Sequence, residues 1–148
     1  MQIEELNRST CINLLAKLRF GRLACAKGSQ PYVVPIFYAY NDGYVYSFST
    51  PGQKVDWMRT NPLVCLQVDE IKTPQNWSSV VLFGRYEELP DTLIFKPVRE
   101  TAYKLLRQRE IWWEPGLARE HIEGRENPLL PLFYRIFVEQ ITGRRALI

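Results

Sequence analysis

Three groups of residues have the types and spacing to bear on chemistry. The densest is Ser47-Phe48-Ser49-Thr50-Pro51-Gly52-Gln53-Lys54, where three hydroxyls and a lysine cluster as a strand pattern gives way to a helical one. Backbone N–H groups at a helix start attract anions and a lysine adds a full positive charge, so this segment can form a phosphate pocket. The plainer alternative is a cap, with Ser49 or Thr50 accepting from first-turn amides and Lys54 in solvent, and spacing alone favours it. The second group is Asn76-Trp77-Ser78-Ser79. An indole can stack on a planar ligand while the two serines hydrogen-bond to its edge; the alternative is a core tryptophan at a strand start. Trp57, Trp112 and Trp113 carry the same alternative, as aromatic core or subunit interface. The third is the sole histidine, His121, which lies in the charged stretch AREHIEGRE. It reads as a solvated surface residue, or as a base supplied from a loop.

Much chemistry is excluded by what is missing. One histidine rules out H-E-x-x-H zinc sites, and neither G-x-x-x-x-G-K-[ST] nor G-x-G-x-x-G occurs. Cys11, Cys25 and Cys65 are odd in number and widely spaced, which points to no disulfide framework and no zinc site. Cys25 and Cys65 sit in strand patterns and read as small buried hydrophobes. No metal site is expected, and a reducing cytoplasm is the simplest compartment. No apolar run approaches the ~18 residues of a membrane span, and the polar, acidic start MQIEELNRST is not a signal peptide. A net charge of +3, with no basic half, gives no footprint for nucleic acid. With so few catalytic side chains, an enzyme built on this chain needs another group to carry the reactive chemistry.

The 148 residues suit one domain with a real core. Ser9 or Thr10 can cap a helix through Ile12, Leu14, Leu15 and Leu18, ended by Gly21. Residues 22–27 and 31–40 read as strands, and Pro35 within the second implies an edge, a bulge, or the approach of something other than a strand. Asn41-Asp42-Gly43 signals a hairpin turn into a return strand over 44–49. A short helix follows, with Val55 and Met58 inward, stopped at Asn61-Pro62. Residues 63–68 form a strand, 69–76 a polar loop and 78–89 a long strand with Gly84 at a bend or bulge. Residues 91–110 show helical spacing through Ile94, Val98, Ala102 and Leu105, with an arginine-bearing solvated face. Residues 111–131 read as loop, and 132–143 as a last, alternating strand, after which Arg144-Arg145 reach a phosphate or lie in solvent. About six mostly antiparallel strands with late helices favour a small closed or nearly closed barrel: α+β, mainly β.

These segments, in this order, resemble the pyridoxamine 5′-phosphate oxidase-like, FMN-binding split-barrel family, and within it the branch of nitroimidazole-resistance-type proteins. The matching residues are Gly21-Arg22-Leu23-Ala24, Pro31-Tyr32-Val33-Val34-Pro35-Ile36, Tyr46-Ser47, Gly52-Gln53-Lys54, Met58-Arg59, Asn61-Pro62-Leu63-Val64-Cys65, Trp77-Ser78-Ser79-Val80-Val81, Gly84-Arg85 and Ile141-Thr142-Gly143-Arg144-Arg145. No single piece is specific; the ordered set is. The resemblance implies a six-stranded antiparallel split barrel with peripheral helices, acting as a homodimer with FMN in a groove between subunits. It implies that Val34, Pro35 and Ile36 line the isoalloxazine, partly through backbone. Ser47, Phe48, Ser49 and Thr50 then wrap the ribityl chain and phosphate, and Gln53 and Lys54 stand at the phosphate. Ser78 and Ser79 reach the flavin or its tail, with Trp77 packed nearby. Two departures matter: several relatives have a histidine near Ser47, and the residue at Gln53 is often basic. The phosphate charge therefore falls on Lys54, with Arg59 or Arg144 as possible helpers.

The resemblance raises Lys54 from cap neighbour to phosphate ligand, and it explains the missing catalytic side chains, because flavin carries the redox chemistry. The expected function is an FMN-dependent oxidoreductase acting on a small molecule, with 111–131 (Trp112, Trp113, His121) as a substrate-side cover. The alternatives are a flavin-binding carrier, sensor or storage module without turnover, and the same barrel holding deazaflavin or haem. A single histidine counts against haem. Pyridoxamine phosphate oxidation itself is not expected, because basic residues for a second phosphate are not evident.

Overall fold

The computed structural model describes residues 1–108 and 132–148. Seven strands form one sheet: β1 (Gln2–Leu6), β2 (Phe20–Lys27), β3 (Gln30–Asn41), β4 (Tyr44–Ser49), β5 (Leu63–Thr73), β6 (Asn76–Leu89) and β7 (Leu132–Leu147). The helices are α1 (Arg8–Lys17), α2 (Gln53–Thr60) and α3 (Lys96–Arg107). The strand order β1-β7-β4-β3-β2-β5-β6 closes by a further β6–β7 pairing. All pairs are antiparallel, so six strands make a ring and β1 is an extra strand beyond it. The α+β, mainly β split barrel is thus present, with one more strand than the six expected.

Alternation builds the interior. Leu23 and Cys25 on β2, Leu66 and Val68 on β5, Val80 and Leu82 on β6, and Tyr134 and Ile136 on β7 all point into one buried cluster. Val55 and Met58 of α2 are fully buried, as their spacing predicts. A second cluster lies beneath α3, where Ala102 and Leu106 meet Phe37, Phe48 and Phe133. Ile94, assigned by period to the helical face, instead precedes α3 and is exposed.

Turn chemistry is local and follows the sequence. Asp42 and Gly43 both take positive φ (46° and 85°), as a tight two-residue hairpin requires. At Gly84 the β6–β7 register slips between Phe83 and Gly84, the anticipated bulge.

Several boundaries move. The α1 cap is Asn7, whose side-chain oxygen accepts from the Thr10 N–H at 2.8 Å, and not Ser9 or Thr10. Replacing it by alanine (Asn7→Ala) should cost about 1 kcal/mol, read by denaturant unfolding. Gly21 does not end that helix; it lies inside β2, where a Cβ would meet Leu66 and Val68. Residues 69–76 are not a loop: β5 runs to Thr73, β6 begins at Asn76, and only Pro74 and Gln75 turn. Arg144 and Arg145 do not follow the last strand but lie within β7, opposite Glu5 and Glu4 of β1. Arg145 pairs with Glu4. Among the described residues, no helix is long and apolar enough to cross a membrane.

Candidate functional site

The split in the barrel falls at β3. Residues 30–37 pair with β2, whereas pairing with β4 begins only at Tyr38. Pro35, which has no N–H to give to a ladder, sits in this one-sided stretch opposite Arg22. Its side chain is exposed, while Val34 and Ile36 turn toward the core. The strand therefore offers an open backbone edge and an outward proline.

α2 follows directly from β4 and packs on β2, with Trp57 against Tyr32 of β3 at 5.5 Å between ring centres. Its N-cap is Gly52 and no side chain caps it. The Ser49 hydroxyl instead donates to the Thr50 carbonyl at 2.8 Å. The capping role open to Ser49 or Thr50 is thus not taken up, and among the described residues the first-turn amides of α2 have no side-chain acceptor. Thr50 and Gln53 are exposed beside them. Lys54 is half-buried, and burial lowers the pKa of its amine, opposed by the nearby Cys25 thiol. Burial likewise pushes the Cys25 thiol up, with Lys54 opposing.

Ser47 is oriented into the barrel and Phe48, on the opposite face of β4, into the cluster beneath α3. The Ser47 hydroxyl is fully buried and donates to the Phe37 carbonyl at 2.6 Å. It pairs across β4–β7 with Tyr134, whose phenol burial holds strongly protonated. Phe48 packs on Phe133 in the second cluster. Both side chains are committed to packing.

The outer face of the barrel is laid out in rows, because directly paired residues share a face. One row runs Val33–Ala24–Cys65–Phe83 across β3, β2, β5 and β6. It is apolar, with Val33 61% and Phe83 49% exposed, and borders a hollow of about 540 Å³ that includes Leu63. The next row is Pro35–Arg22–Gln67–Val81–Thr142. The third is Asp69–Ser79–Arg144–Glu5. A cavity of about 420 Å³ with a mixed lining opens there, where Glu5, Ser79, Thr142 and Arg144 meet Leu6, Trp77 and Val81. Ser78 does not line it, since alternation turns its side chain to the opposite face from Trp77 and Ser79.

The structure thus gathers the expected residues into two groups rather than one. Pro35, Thr50, Gln53 and Lys54 lie around β3 and α2; Trp77 and Ser79 lie on β6. In the sheet, β3 and β6 are three strand spacings apart, roughly 14 Å. Thr142 is named by sequence only within the Ile141–Arg145 match and Glu5 not at all; the β6–β7 and β1–β7 registers bring both to the cavity. Trp112, Trp113, His121 and the proposed cover over 111–131 lie outside the described residues. Among the described residues, no group of three or more His, Cys, Asp or Glu could hold a metal ion.

The family model described as pyridoxamine 5′-phosphate oxidase matches residues 7–145. An uncharacterized protein, RA0666, of Rhizobium meliloti (strain 1021) is 40% identical over 146 residues, covering 99% of this chain and 97% of that protein. The crystal structure of an FAD-binding protein from Mesorhizobium loti is 43% identical, with a TM-score of 0.77, covering 99% of this chain and 100% of the other. A candidate 5-nitroimidazole antibiotic resistance protein from Bacteroides thetaiotaomicron shares the fold at 15% identity, with a TM-score of 0.69, covering 98% of this chain and 89% of that one. With its split barrel, its open β3 edge and a match that spans nearly its whole length, this chain belongs to the pyridoxamine 5′-phosphate oxidase-like family.

Proposed function

We propose that two copies of this chain pair through the outer barrel face and hold a flavin nucleotide between them, as an oxidoreductase acting on a small molecule. The observation that carries this reading is the division of the candidate residues into two groups on the outer barrel face, beside an exposed apolar row. A single ring does not span the roughly 14 Å between β3 and β6. A two-fold partner brings the β6 group of one copy toward the β3–α2 group of the other. An apolar row with exposed Val33 and Phe83 around a half-buried Cys65 is the kind of patch that a subunit interface covers.

The donors suit the ligand. A flavin nucleotide is planar, rich in carbonyl and ring-nitrogen acceptors, and ends in phosphate. Lys54 and the first-turn amides of α2 suit the phosphate. The β3 edge at Val34, Pro35 and Ile36 suits the ring, and Trp77, Ser79 and Arg144 supply further donors. Bound flavin supplies the redox chemistry, and the chain binds and orients it and keeps water from it. FMN is the form the family resemblance implies; FAD is the alternative, favoured by the name of the 43%-identical relative. Three free cysteines suit a reducing, cytoplasmic setting.

The test is to purify the chain, record its visible spectrum, and identify the released flavin by mass spectrometry. Stoichiometric FMN supports the reading in full, and FAD replaces FMN within it. Protein that neither carries nor takes up either flavin overturns it. Bleaching by a nicotinamide cofactor and reoxidation by an acceptor distinguish an enzyme from a carrier. Phe83→Asp should convert dimer to monomer in sedimentation and lower flavin occupancy with it, because a charge then faces the partner in the apolar row.

A further inference from the structure

A chain of polar side chains crosses the outer face from β2 to the edge of the Ser79 cavity. The Arg22 guanidinium donates to Asp69 at 3.1 Å. The amide nitrogen of Gln67 donates to the same Asp69 oxygen at 2.9 Å and to the Ser79 hydroxyl oxygen at 3.1 Å. Gln67 and Asp69 alternate along β5, and Ser79 is the direct cross-strand partner of Asp69. The contacts therefore run on the diagonal between neighbouring rows.

The order of donors follows from Asp69. A carboxylate only accepts, so the Gln67 group that faces it must be the NH₂ and not the carbonyl. The second hydrogen of that NH₂ then goes to Ser79, whose oxygen must accept it. A hydroxyl that accepts on one side keeps its own hydrogen for another partner. Ser79 lines the 420 Å³ cavity with Trp77, Thr142 and Arg144.

From this, we propose that Gln67 is a positioning residue: held by Asp69 and Arg22, it sets the Ser79 hydroxyl as a hydrogen-bond donor toward an acceptor atom of the bound flavin. This rests on the flavin reading above. Gln67→Glu reverses the polarity, because a carboxylate at 67 takes the Ser79 hydrogen for itself and is repelled by Asp69. Asp69→Asn loosens the same orientation without touching Ser79, and serves if the first variant folds poorly.

The experiment is a double-mutant cycle on flavin affinity, by fluorescence titration of apoprotein with the flavin that the wild type retains. Gln67→Glu and Ser79→Ala should each weaken binding about tenfold, the equivalent of one hydrogen bond. The double variant should be no weaker than Ser79→Ala alone, and the flavin absorption band should shift equally in all three. Wild-type protein that binds no flavin overturns the flavin reading, and the role of Gln67 with it. Wild-type binding with additive losses, or with affinity unchanged in both Gln67→Glu and Asp69→Asn, overturns the positioning role alone.

Discussion

Lys54→Ala should weaken flavin binding by about 10- to 100-fold, the equivalent of a charge-assisted hydrogen bond to phosphate. Lys54→Arg should retain most of the affinity, since the charge survives though the geometry changes. Titration of apoprotein by flavin fluorescence reads both. The pH dependence follows from burial. Burial lowers the amine's pKa, and a bound phosphate favours its charged form, so binding and protonation reinforce each other. Flavin affinity should be greatest where Lys54 is charged and should fall as pH rises through an alkaline midpoint below the ordinary lysine value. In Lys54→Arg that component of the pH profile should vanish. An affinity indifferent to both substitutions removes Lys54 from the site.

Gly84→Ala should be the most damaging methyl in the barrel. A Cβ at residue 84 would lie 2.2 Å from the Phe137 carbonyl oxygen and 2.7 Å from the Ile136 methyl. One of these neighbours is backbone, so no side-chain rotation relieves it. The bulge must open or the β6–β7 ladder must slip, and that ladder is the closing seam of the ring. A loss of about 3 kcal/mol or more is expected, or roughly 10 °C in melting temperature for a chain of this size. Calorimetry or thermal circular dichroism checks it. Gly28→Ala serves as a control in a turn: there a new Cβ meets nothing, so only its positive φ of 56° costs energy, about 1 kcal/mol.

Local chemistry was legible in the sequence where a few adjacent residues decide the outcome. Asn41-Asp42-Gly43 folds as a turn because positive φ is needed there and tolerated there. Gly84 marks a bulge because nothing larger fits. Val55 and Met58 face inward because helical spacing leaves them one side. Long-range pairing was not legible. β1 carries no apolar alternation; Glu4 and Glu5 are in a strand because Arg145 and Arg144 stand opposite them. The polar run 69–73 extends β5 because β6 continues beside it. Ser47 reads as a ligand hydroxyl in one dimension, yet its register opposite Tyr38 and Tyr134 turns it inward. Gln67 gives no signal at all, since its meaning comes wholly from diagonal neighbours on two strands.

β7 borders β4, β6 and β1, and its far end brings Leu147 opposite Gln2. The order of synthesis therefore works against this fold. While a ribosome is still extending the chain, β1, β4 and β6 each wait with an unpaired edge for β7, which follows all of them in chain order. Contacts this distant in sequence form slowly, and open edges invite pairing with other chains. The growing chain is thus most exposed to aggregation between the making of β6 and that of β7, and closure of the ring waits for β7. The same adjacency of Gln2 and Leu147 makes a short splice between them, with new ends at the Gly28 turn, a natural way to move the seam earlier in synthesis.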